Sequence, residues 1–519
     1  MKSISLRRFL HLTVATLALC SFAMQNVIFA ADIPCVINDE SVVIHDQAIM
    51  KSADFSFGRT IGAILTSMKI ADTSQARIDF VNTLIASFKS NEHINLRSGL
   101  LMKVDQRPAE ASLTAEGMLS DPEIATNLDA LQPIGLFNRM DLMPADASDC
   151  GEHRIVYSLA HPTKGRFFLI FEANVPNPSS GEAGCKPISD FWASMSLIAD
   201  PSKKAKGLEQ FFYKGLGNGI GPVVDAHNYG LTLGQIRGNL FLTPKWQLRE
   251  WQIHVNGKPS IAEFLPVTVK NNPLAELYSD GNLNSLDPVK EAAVRQEFQT
   301  KFIAEYLNDL KSEDEKVGAT IESIIGGIGS RKLDDKFNEF QSDAGNSDNP
   351  TNLKGSNFNV KIAAALQQTP TIDSAAMLNR AGAITCGGCH LFSGGQPIGK
   401  LNGQTINWPS AIFTHIAEPN PVTGISGLSD ALTTAFLPSR KKALEKLSCT
   451  TQTADAFKLI ESDVSKLRRE IDAKIDASLA DRTLFKTKSD QAKVAQQIEQ
   501  LRIQSLQQPG LFVEHRRSE

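Results

Sequence analysis

HRIVYSLAHPTKGRFFLIFEANV, residues 153–175, contains two runs rich in β-branched and aromatic residues, HRIVYSL (153–159) and RFFLIFEANV (166–175), separated by HPTKG. The Pro and Gly of the spacer are turn signals, so the two runs read as a β-hairpin. A hairpin alone is marginal in water and needs further strands or a helix layer to bury its apolar face. Suitable strands follow at QIRGNLFL (235–242) and WQLREWQIHV (246–255), joined by TPK, and at EFLPVTV (263–269) after the turn NGKP. Residues 131–275 are therefore expected to form a β-rich domain built on an antiparallel sheet.

On either side the period changes from two to three and four. Ile61, Ile64, Leu65 and Met68, then Ile78, Val81, Leu84, Ile85 and Phe88, mark two amphipathic helices in a helical region over 31–130. Val294, Phe298, Phe302, Tyr306 and Leu310 recur every four residues and predict a helical segment over 285–340. QSDAGNSDNPTNLKGSN (341–357) reads as a linker or mobile loop. A helical run, 361–384, leads into a segment over 358–445 that bears TCGGCH. In the tail, 446–519, Phe457, Ile460, Val464, Leu467, Ile471 and Ile475 predict one arm of a helical hairpin, and Val494, Ile498 and Leu501 the other. Such a hairpin packs on its own chain or on a partner, so the oligomeric state stays open. The expected class is α+β.

Lys2, Arg7 and Arg8 precede an apolar run from Phe9 to Ala30 without an acidic residue, which reads as a secretory signal peptide, 1–30, cut before Ala31. Without it, 50 basic residues face 57 acidic ones. That balance argues against nucleic acid as a partner. No later segment is long and apolar enough to span a bilayer. Export, to the periplasm or outside the cell, makes disulfides permissible. Cys150 and Cys185 then form one candidate bridge and Cys35 and Cys449 another, one of three connectivities that four cysteines allow.

Cys386, Cys389 and His390 form C-x-x-C-H. Covalent haem attachment needs two thiols spaced to add across the porphyrin vinyl groups, with a His next to them to reach the iron. A structural disulfide, a redox dithiol and a metal clip with His415 are the competing readings. A thioredoxin-like dithiol wants its C-x-x-C at the mouth of a helix that lowers a thiol pKa; here SGGQP (393–397) follows at once and would break such a helix. The glycines of KGLGNGIGP (214–222) fit no nucleotide fingerprint and read as a loop. Glu152 and His153 are adjacent on a strand and point to opposite faces, so they are no acid/base pair.

The helix before TCGGCH and the polar, glycine-rich HLFSGGQPIGKLNGQ after it resemble the attachment region of class I c-type cytochromes. The resemblance implies one haem c, thioether-linked to Cys386 and Cys389, with His390 as proximal iron ligand, and electron transfer with a redox partner protein. The chain departs from that family in having no Met after Met377. The sixth position therefore falls to His415, to a residue from elsewhere, or to none. More widely, GLFNRMDL (135–142), DCGEHRIVYS (149–158), LIFEANVPNP (169–178), TCGGCH (385–390), FTHIAE (413–418) and FLPSR (436–440) resemble blocks of exported bacterial proteins of uncharacterised role. The rival from another class is a secreted, haem-free binding or scaffold protein with all six cysteines bridged.

Overall fold

The strands form where the sequence alternates, and their register decides what each face carries. In the computed structural model, residues 36–115, 128–161, 165–241, 246–256, 261–281, 287–312, 319–343, 356–366, 372–409 and 415–449 are described. The expected signal peptide, Cys35 and the helical-hairpin tail beyond Cys449 lie outside them. Val36–Ser448 form one compact unit.

The main sheet has eight antiparallel strands. Those introduced here are β1 (Val43–Ile44), β4 (Gln132–Arg139), β5 (Asp149–His161), β6 (Gly165–Pro176), β7 (Gln235–Phe241), β8 (Gln247–Asn256), β9 (Ile261–Val267) and β10 (Ser342–Asp343); β2 (Asn91–Ile94) and β3 (Leu101–Val104) form a separate hairpin. The order is β1-β4-β5-β6-β7-β8-β10, with β9 also on β8. Mixed helix and antiparallel sheet is the expected class, and the hairpin of residues 153–175 is its centre: Ile155 faces Phe171, Tyr157 faces Leu169 and Leu159 faces Phe167 across β5 and β6. Ser342 and Asp343, expected at the start of a linker, instead pair with Leu248 and Gln247.

Because side chains alternate, the sheet has two distinct faces. One carries His153, Ile155, Tyr157, Leu169, Phe171, Ile236 and Trp251, all buried. Helices cover it. Phe57, from helix Phe57–Ser67, meets Tyr157 and Phe171 edge-on, and Thr60 of that helix bonds the Tyr157 hydroxyl at 2.7 Å. Helices Lys186–Met195 and Pro201–Tyr213 were hidden inside the region expected to be β-rich. Their Trp192 and Phe211 pack on His153. Antiparallel sheets often leave one face to water. This one does not: its other face carries Glu152, Arg154, Val156, Phe168, Ile170, Arg237 and Asn239, and residues from 326–332, 383–390 and 415–440 lie against it, with Glu418 accepting hydrogen bonds from Ser158 and Arg166.

Cys150 and Cys185 are bonded. The bridge differs from the expected staple across sheet ends, because Cys185 sits in a 3-10 turn, Glu182–Cys185, that opens helix Lys186–Met195. It therefore ties sheet to helix layer. Cys449 is also disulfide-bonded; the expected Cys35–Cys449 pairing falls on Cys35, outside the described residues.

Candidate functional site

Three pairs of opposite charge sit side by side on the second sheet face, set by register alone. Arg139 of β4 is opposite Glu152 of β5, Arg154 of β5 is opposite Glu172 of β6, and Arg237 of β7 is opposite Glu250 of β8. Cross-strand partners this close interact directly. Arg154 reaches Glu172 at 3.1 Å and also pairs with Glu152; Arg237 donates to Glu250 at 2.8 Å; Lys270 donates to Glu152 at 2.6 Å. Arg139 turns instead to Asp141, which it binds through Nε at 2.9 Å and Nη2 at 2.9 Å. Burial alone would raise the Glu152 pKa, but Lys270, Arg154, Arg139 and Arg237 hold it well below the usual carboxylate range. Burial raises that of Glu250, with Arg237 opposing.

Facing these charges is TCGGCH. Helix Ser374–Ala383 ends with a turn, and residues 386–392 form a short helical segment whose last part, Gly388–Phe392, has π geometry. Thr385 shapes the turn: its hydroxyl donates to Gly382 O at 2.8 Å and accepts from the Gly388 amide at 3.1 Å. Gly388 is required here, since a Cβ would lie 1.9 Å from the Gly382 carbonyl oxygen. The Cys386 thiol donates to Lys270 O at 3.3 Å, Trp408 Nε1 donates to Cys389 O at 3.3 Å, and the His390 ring stacks on Trp246 with centroids 5.5 Å apart. The glycine-rich stretch after the motif is more ordered than its composition suggests. It folds into a hairpin of β11 (Pro397–Leu401) and β12 (Gln404–Asn407), turned at Asn402 and Gly403, both with positive φ. The remaining pair, β13 (Ile416–Pro419) and β14 (Ser426–Leu428), begins next to His415.

Between motif and sheet is a cleft with about 210 Å³ of water-accessible space. Cys386, Cys389, His390 and His415 all line it. Its apolar walls include Val156, Phe168, Ile170, Leu432 and Phe436. All six blocks quoted above contribute, from Arg139 and Asp141 of GLFNRMDL to Ser439 and Arg440 of FLPSR. Asp225 and His227, by contrast, pair with each other at the start of the 3-10 turn Ala226–Tyr229, beside the 214–222 loop.

Cys386 and Cys389 are not bonded to each other or to another cysteine. Both residues are partly covered, yet their sulfurs are withdrawn enough for burial to push Cys386 up to about 12 and Cys389 up to about 11. Reactive dithiols have lowered thiol pKa values, whereas burial raises these two. Among the described residues no three His, Cys, Asp or Glu side chains converge into a metal cage; an iron already held in a porphyrin needs only axial ligands. Among the described residues, too, no helix is long and apolar enough to cross a membrane. The chain matches no protein-family model, no curated protein and no solved structure.

Sequence reasoning found the motif and His415 but passed over the charged wall. The alternation rule correctly separates Glu152 from His153. What it left unsaid is that Glu152 then belongs to the face that looks at the motif.

Proposed function

We propose that the protein is an exported c-type haem protein that carries one covalently attached haem in this cleft and transfers electrons to a redox partner protein. The observation that carries the reading is the convergence of two unbridged thiols in C-x-x-C-H spacing and two histidines on one cleft with apolar walls. Cys386 and Cys389 would hold the porphyrin as thioethers, and His390 would be the proximal iron ligand. His415, on the same cleft, is the candidate for the sixth position. The haem, when bound, supplies one-electron chemistry, and its potential follows axial ligation, burial and nearby hydrogen bonds. The protein's own part is to keep both thiols protonated and unbridged until attachment, to hold the His390 ring against Trp246, and to surround the group with apolar side chains and fixed charges. The disulfide between Cys150 and Cys185 agrees with export.

The test is co-expression with a haem maturation system, followed by a denaturing gel stained for peroxidase activity. The wild-type band stains, the Cys386→Ala/Cys389→Ala double variant does not, and His415→Ala keeps the stain while its absorption spectrum shifts. A folded, exported wild-type protein that never stains would sink the proposal and leave the haem-free binding protein in its place.

A further inference from the structure

Six cations line the cleft: Arg139, Arg154, Arg237, Lys270, Lys332 and Arg440. Four of them have carboxylate partners, as described above. Arg440 and Lys332 do not, for neither makes a hydrogen bond or an ion pair among the described residues. Arg440 stands in the first turn of helix Leu437–Cys449 and is only 9 % exposed. Its neighbours are the Phe436 ring, 6.0 Å from the guanidinium carbon, and the charges of Arg139, Asp141 and Arg154. Asp141 is already taken by Arg139 through two nitrogens. Lys332 lies at the exposed side of the cleft.

A buried guanidinium with five donors and no acceptor is costly unless a ligand completes it. Burial, and then the charge of Arg139, depress the Arg440 pKa, and Asp141 opposes them only in part. The fork geometry of arginine favours a planar, two-oxygen anion. We infer that Arg440, deep in the cleft, and Lys332, towards its mouth, receive the two carboxylates of the molecule the cleft holds. This rests on the haem reading in one respect, that the two carboxylates are then the porphyrin propionates; a free dicarboxylate offers the same chemistry without a porphyrin.

The full chain, expressed without the maturation system, is titrated with haemin, with haemin dimethyl ester and with succinate, and binding is followed by tryptophan fluorescence, to which Trp246 contributes beside His390. Wild type is compared with Arg440→Gln, Arg440→Lys and Lys332→Gln, the last on an exposed side chain whose loss leaves folding untouched. Wild type binds haemin about ten- to a hundredfold more tightly than the ester, the worth of a charge-assisted hydrogen bond. Arg440→Gln loses most of that preference, Arg440→Lys keeps part of it, and Lys332→Gln loses part. Equal binding of haemin and ester by wild type, or an undiminished preference in both Gln variants, overturns the inference. If neither porphyrin binds but succinate binds wild type more tightly than Arg440→Gln, the carboxylate site stands and the haem reading fails. If succinate and both porphyrins all fail to bind, the carboxylate site is refuted.

Discussion

His153 should make the fold sensitive to mild acid. Its ring is fully buried, stacked on Trp192 and edge-on to Phe211, and Trp192 Nε1 donates to its Nδ1 at 3.1 Å, which fixes the proton on Nε2. Nε2 has no hydrogen-bond partner. Burial lowers the pKa to about 3, against a small opposing pull from the Glu152 charge. An unfolded histidine titrates near ~6.5. As pH falls, the unfolded chain therefore binds the proton first. The stabilising effect of keeping this ring neutral is complete above ~6.5 and is lost progressively between that pH and about 3. For one such group the loss is about 2 kcal/mol between pH 7.5 and pH 5. The perturbation is His153→Gln, which does not titrate and retains an oxygen to accept from Trp192. Urea unfolding of both proteins at the two pH values gives the comparison, with carboxylate titrations common to both cancelling. The variant starts less stable, and its deficit shrinks by about 2 kcal/mol at the lower pH. Parallel losses in the two proteins would refute the argument.

Two further expectations concern other parts of the fold. Replacing Cys150 and Cys185 by Ala opens a loop of 35 residues and should lower stability by about 4 kcal/mol, read by chemical denaturation; a double variant as stable as wild type would show that the bridge is not constraining the unfolded chain. Gly388→Ala would drive a methyl into the Gly382 carbonyl, so we expect a loss of about 1–3 kcal/mol and reduced thioether formation in the stained-gel assay, while an unperturbed variant would mean that the turn holding the motif is looser than described.

The hairpin of residues 153–175 was legible because its alternation is strong and its spacer carries turn residues. In the helices at 186–213, Ile188, Trp192 and Met195, and Leu208, Phe211 and Phe212, have helical spacing, but the strong β runs on both sides mask that short-range signal. Asn402-Gly403 is a hairpin signal, but a weak one here because the flanking strands are short and half polar. The motif could be read because its residues are contiguous. The wall could not. Arg139, Arg154, Glu172, Arg237 and Glu250 become a charge lattice only once strand register is known, and register depends on long-range pairing that local pattern does not specify. Arg440 and Lys332 come from two further elements, and their lack of partners is a property of the assembled cleft.

The cleft also implies an order of construction. Its sheet wall comes from residues 137–170 and 237–241, its motif from 385–390, and its last side from 415–440. In a chain emerging N-terminus first, the floor is complete before TCGGCH appears, and the roof arrives only afterwards. Until that last side is in place, the cleft that Cys386 and Cys389 line lacks the wall supplied by Leu432, Phe436 and Arg440. The two thiols therefore precede in the chain, by roughly fifty residues, the arginine that closes their cleft.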